Sequence, residues 1–115
     1  MDEPAFDFDR AVQRVVDSLP AEFRDAMSNV EIVVEDEPPP GQNLLGLYRG
    51  IPLTKRSQWS SFTLPDKISI YRGPIERLCG HDHTRLEGEV RHVVLHELAH
   101  HFGISDERLI EIDRY

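Results

Sequence analysis

Only one cysteine and no long apolar run occur in this chain, and each shortage excludes something. Cys79 has no partner for an internal disulfide, so stability must come from packing and from any bound metal. No apolar stretch approaches the roughly 18 residues that suggest a membrane span. The opening Met1-Asp2-Glu3-Pro4 has neither the basic start nor the apolar centre of a secretory signal. A cytoplasmic protein with no membrane partner is expected from these absences. Positive charge is also scarce: 13 Lys and Arg face 21 Asp and Glu, a formal net charge of -8. An extended phosphate-binding surface, and with it a nucleic-acid partner, is therefore excluded. The compact basic spot Lys55-Arg56 is too small to reverse that balance.

What remains is an ordinary globular composition, 39% hydrophobic and 30% charged over 115 residues. Such a length predicts one domain spanning residues 1–115, with a real but modest core. Phe8, Val12, Val15, Val16 and Leu19 form the apolar stripe of a helix over about residues 5–19. Pro20 opens a second short helix in which Phe23 and Met27 share a face. Val30, Ile32 and Val34 then follow the two-residue period of a half-buried strand. The run from Asp36 to Gly41, with three consecutive prolines, must be loop. A second strand is expected around Leu44–Gly50, and an exposed loop from Thr54 to Pro65. Ile68 and Ile70 mark a third strand that stops at Arg72-Gly73-Pro74, with a helical turn from Pro74 to Leu78.

The last third has the clearest pattern. Thr84-Arg85-Leu86-Glu87 matches a capping box at the start of a long helix. Leu86, Val90, Val93, Val94 and Leu98 give that helix a buried side, and Gly103 can end it in the left-handed conformation. A short final helix is expected over about Asp106–Ile112. Helix, helix, three strands and two more helices make an α+β fold, one small sheet packed by helices.

Residues 96–106 read His-Glu-Leu-Ala-His-His-Phe-Gly-Ile-Ser-Asp, the pattern HExxHxxGxxD. His96 and His100 are four apart on a helix, so both imidazoles project from one face and can reach one ion. Zinc favours four near-tetrahedral ligands, so two histidines leave a third protein ligand and an open vertex to be supplied. Gly103 lets the chain leave the helix, and Asp106 follows closely enough for its carboxylate to swing beneath the ion. Glu97 is rotated about 100° from His96 around the helix axis. It stands in the general-base position of a hydrolytic zinc site. Glu97 is expected to take a proton from water, which attacks the scissile carbonyl, and to pass that proton to the departing amine. Roughly 3% of shuffled chains of this composition would contain HExxH, and requiring Gly103 at its offset lowers this to about 0.2%.

In these residues the chain resembles the zincin metallopeptidases, and more narrowly the small bacterial zincin-like proteins built around HExxHxxGxxD. Leu45-Gly46-Leu47-Tyr48, Ile70-Tyr71-Arg72-Gly73-Pro74 and Ser105-Asp106-Glu107-Arg108 extend the resemblance over about residues 30–110. It implies a reduced, single-domain zincin-like fold, a small sheet over an active-site helix. It also implies Zn2+ held by His96, His100 and Asp106, with Glu97 as catalytic base. Asp106 stands where the commoner metzincin pattern has a third histidine. Nine residues follow Asp106, and the two methionines, Met1 and Met27, both precede the motif. A lower subdomain with a methionine-containing turn is therefore not expected, and half of the usual substrate cleft goes with it.

Other residues carry alternatives. Glu107 is the rival to Asp106 as third ligand. His92 and His101 can replace or orient a ligand, although the simplest reading of each is a partly exposed polar histidine. Cys79-Gly80-His81-Asp82-His83 lacks the second pair of a structural zinc site and reads as a loop with an Asp or Thr helix cap. Tyr48, Tyr71 and Tyr115 are candidates for stabilising an oxyanion. The Trp59 segment, Lys55 to Phe62, is a connection, a lid or a partner surface. The leading function is a zinc peptidase acting on peptides or extended protein segments laid along a strand edge. The alternative is a zinc-stabilised binding or regulatory module. The sequence does not indicate an oligomeric state.

Overall fold

The computed structural model describes residues 5–27, 29–50, 65–105 and 107–108. Helix α1 (Phe8–Ser18) starts where the Asp7 side chain accepts from the Arg10 amide at 3.0 Å, capping an otherwise unsatisfied donor. It buries Phe8, Val12 and Val15 of the expected stripe and Ala11 besides, whereas Val16 is half-buried and the buried Leu19 follows the helix end. Helix α2 (Ala21–Asp25) follows directly, with Pro20 as its N-terminal flank. Strand β1 (Val30–Glu35) is half-buried, and β2 (Gly46–Arg49) is a four-residue strand inside the expected window. Strand β3 (Asp66–Tyr71) begins two residues earlier than its isoleucines indicate. The expected loop from Thr54 to Pro65 and the Trp59 segment fall outside the described residues, Pro65 excepted.

The sheet order is β1-β3-β2. β3 pairs in parallel with β1 and antiparallel with β2, placing Tyr48 opposite Ile68 and Gly46 opposite Ile70. As the central strand, β3 is buried on both faces, Ile68, Ile70 and Tyr71 completely so. β3 stops ahead of Arg72-Gly73-Pro74, as expected, and these residues form the first turn of helix α3 (Arg72–Cys79), which contains the expected turn from Pro74 to Leu78. Proline is tolerated there because first-turn amides have no partner within the helix. Cys79 is buried at the end of α3, and its thiol contacts the Arg85 carbonyl oxygen at 3.6 Å.

Helix α4 (His83–Phe102) is the spine of the molecule, packing against α1, α3, β2 and β3. All five expected apolar positions are buried, and Leu95, Ala99 and Phe102 join them. The capping box does not form. Asp82 is the cap: its carboxylate accepts from the amides of Thr84 and Arg85 at 3.0 and 3.2 Å. Glu87 turns away to Arg14 of α1 in a two-pronged ion pair at 2.7 and 2.6 Å. An acid with a bidentate arginine in reach gains more there than from a backbone amide. Gly103 ends the helix at φ 72 and ψ 31, the left-handed conformation open to glycine. Among the described residues, no helix is long and apolar enough to cross a membrane. Of the expected final helix, only residues 107–108 are described, and they are helical.

Candidate metal centre

Three side chains of α4 converge. His96 and His100 face each other edge to face, ring centroids 5.1 Å apart. Ligand-capable atoms of His96, Glu97 and His100 all lie within 4.8 Å of one another, the metal-capable cluster found among the described residues. The helix repeat produces this geometry, since positions four apart lie one above the other. Burial is graded: Glu97 is buried, His96 half-buried and His100 exposed. Two imidazoles and a carboxylate form a donor set suited to zinc and related divalent ions.

Asp106 lies outside the described residues. On either side of it, the Ser105 hydroxyl accepts from the Arg108 amide at 3.1 Å, and Glu107 is exposed. Glu107 does not belong to the cluster on α4. Nor do Cys79, His81, Asp82 and His83 form a second cluster among the described residues, in keeping with the helix-cap reading of that segment.

His96 and Glu97 of the cluster line a cavity of about 280 Å³. The segment Asn43, Leu44, Leu45 and Gly46 forms one wall, and His92, Val93, His96 and Glu97 form the other. Gly46 is what allows β2 so close to the helix. A Cβ there would stand 2.6 Å from Val93 Cγ1, 3.1 Å from the Ser69 carbonyl oxygen and 3.3 Å from Glu97 Cγ. A larger open groove of about 590 Å³ lies at the far end of α4, among Phe6, Arg14, His83 and Glu87. It touches none of the three converging side chains, so the smaller cavity is the one relevant to chemistry at the cluster.

Behind the cluster sits a buried polar group that the sequence does not announce. Asp66 is 2% exposed and His101 fully buried, with His101 Nδ1 and Asp66 Oδ2 2.7 Å apart. A carboxylate can only accept, so the shared hydrogen belongs to Nδ1. The same carboxylate oxygen accepts from Tyr48 Oη at 2.6 Å. His101 is thus a core residue rather than the partly exposed histidine expected from sequence. His92 is exposed, as expected, and lines the cavity. The one hydroxyl hydrogen of Tyr48 goes to Asp66, so it is not directed at an oxyanion. Tyr71 is fully buried, which removes it from contact with substrate, and Tyr115 lies outside the described residues. One clue to Asp66 is present in the sequence: it is in phase with Ile68 and Ile70, so its side chain shares their buried face.

A family model described as Zincin-like metallopeptidase matches residues 27–115. Among solved structures, the chain is similar to a conserved hypothetical protein, TTHA0227, from T. thermophilus. The two are 27% identical, with a TM-score of 0.57, over 84% of this chain and 91% of the other. No curated protein matches at a significant level.

Proposed function

Because the chain belongs to the zincin-like metallopeptidase family, we propose that it is a zinc-dependent peptidase with its centre at His96, Glu97, His100 and Asp106. The observation that carries this reading is the convergence of His96, Glu97 and His100 within 4.8 Å beside a cavity. His96 and His100 would hold Zn2+ with Asp106, which the HExxHxxGxxD spacing supplies as the third ligand. When bound, zinc supplies Lewis acidity to a water and to a substrate carbonyl.

The residues of the chain do the rest. Glu97, beside the first histidine and largely withdrawn from bulk water, takes a proton from the attacking water on a carboxylate oxygen. It then delivers that proton to the amine nitrogen of the departing peptide. Burial sharpens its electrostatic influence at the site. β2 is an outer strand of the described sheet and leads out of the cavity wall at Gly46. An extended peptide added along it would run past the cluster, with backbone hydrogen bonds providing affinity. Leu44, Leu45 and Val93 give the cavity an apolar lining suited to one substrate side chain.

The test is hydrolysis of unstructured peptide libraries by zinc-loaded wild type and Glu97→Ala at matched zinc content. Wild-type turnover that falls by about 100-fold or more in the variant supports the reading. Equal turnover in both removes Glu97 from its role. Zinc binding without turnover in either leaves a zinc-stabilised binding module.

A further inference from the structure

His100 is the exposed member of the cluster, and an exposed imidazole ordinarily samples several rotamers. Here its ring lies parallel to that of Tyr48, with an interplanar angle of 8° and centroids 6.2 Å apart. Tyr48 in turn is not free to swing, since its hydroxyl is tied at 2.6 Å to Asp66 Oδ2. That oxygen also binds His101 Nδ1 at 2.7 Å, one residue beyond His100 in the last turn of α4. Tyr48 packs edge-on against the His101 ring as well, centroids 6.1 Å apart. The backbone at Gly50 also approaches Asp66 closely, since a side chain there would overlap its carboxylate. One buried carboxylate therefore reaches the helical turn bearing His100 by backbone continuity and the His100 ring by stacking.

We propose that Asp66 is a positioning residue for His100, acting through Tyr48 on the orientation of the imidazole and through His101 on the last turn of α4. The inference rests on the reading of His100 as a metal ligand, but it makes a claim about the metal-free protein too. An imidazole already held in one orientation loses less rotamer freedom when it binds an ion. Burying a carboxylate is costly without donors, and Tyr48 and His101, which donate to it here, belong to elements that frame the site. A carboxylate serving only to join β3 to α4 would not need the ring of Tyr48 to lie parallel to His100.

The test uses the full chain and the variants Tyr48→Phe, Tyr48→Leu, Asp66→Asn and Asp66→Ala, each first shown to be folded by its amide spectrum. Two quantities are read at one fixed pH. The first is zinc affinity, by competition with a chromophoric chelator. The second is the pair of His100 ring signals in the metal-free protein, by 1H–13C NMR. Tyr48→Leu should weaken zinc binding by about three- to tenfold, the scale of a lost aromatic contact. It should also move the His100 ring signals to averaged positions. Tyr48→Phe keeps the ring without its tether and should shift both readouts the same way by less. Asp66→Asn retains an acceptor oxygen and should stay near wild type, whereas Asp66→Ala should resemble Tyr48→Leu if it folds. Wild-type zinc affinity and unchanged His100 signals in both Tyr48 variants would overturn the proposal. Failure of wild type to bind zinc would instead defeat the ligand reading, and the metal-free spectra would still decide whether Tyr48 orients His100.

Discussion

Gly46 at the start of β2 lies so close to Val93 of α4 that a Cβ at position 46 would sit 2.6 Å from Val93 Cγ1. Val93 is buried and β-branched, so it cannot rotate away cheaply. The Ser69 carbonyl oxygen, 3.1 Å from the same point, is part of the sheet backbone and equally fixed. Gly46→Ala should therefore cost about 1–3 kcal/mol, as overpacking does, measured by urea unfolding. Because the third neighbour is Glu97 Cγ, turnover should fall as well, beyond what the lost stability accounts for. A stable, fully active Gly46→Ala protein would show that β2 does not set the position of Glu97.

The identity of the α4 cap separates two residues only two positions apart. Asp82→Ala should destabilise the protein by about 1 kcal/mol, since it frees the amides of Thr84 and Arg85. Thr84→Ala should change stability little, because its side chain does not cap the helix. Thermal melts of the two variants give the comparison directly, and the reverse order would restore the capping box.

Acid should weaken the clasp between α1 and α4. Hydrogen bonding to Arg14 holds the Glu87 carboxyl below its ordinary value of 4.5, against an opposing effect of burial. A carboxylate depressed in the folded state contributes stability that is fully present above its unfolded pKa. That contribution is lost as pH falls through the lower folded value. Both side chains are substantially exposed, so the effect is small and screened by salt. Melting temperatures of wild type and Glu87→Gln should differ at pH 7 and converge well below pH 4.5. A constant difference across that range would mean that the charge on Glu87 is irrelevant.

Zinc should stabilise the fold through His96 and His100. A ligand that binds only the native state adds about 2.7 kcal/mol at a concentration 100 times its dissociation constant. Added zinc should thus raise the melting temperature of wild type by several degrees. His96→Ala should melt at the same temperature with or without zinc. An equal zinc shift in both proteins would locate the ion elsewhere.

The helix of the candidate metal centre is legible in the sequence because two independent patterns coincide there: an apolar stripe fixes which side of α4 is buried, and HExxH fixes where donors emerge. Val90, Val94 and Leu98, all fully buried, fall where the stripe puts them. Expectation and structure part where one local motif competes with a distant partner. Thr84 and Glu87 spell a capping box, but Arg14, 73 residues from Glu87, takes the carboxylate. Gly73-Pro74 ends β3 as expected, and the first turn of a helix accommodates both residues. His101 escapes a linear reading because alone it looks like a surface residue, and Asp66 is hinted at only by its phase with Ile68 and Ile70. Only the pairing of β3 with β2, and the packing of α4 on the sheet, brings them together in the core.

The central claim is that His96 and His100 grip one zinc ion with a vertex left open for water. Crystals grown with saturating zinc, measured at the zinc absorption edge, test it most directly. The expected result is a single anomalous peak about 2.1 Å from one nitrogen of each histidine, with a carboxylate oxygen of Asp106 as third ligand and solvent at the fourth position. No peak between those imidazoles, or a fourth position filled by a protein side chain, would contradict it.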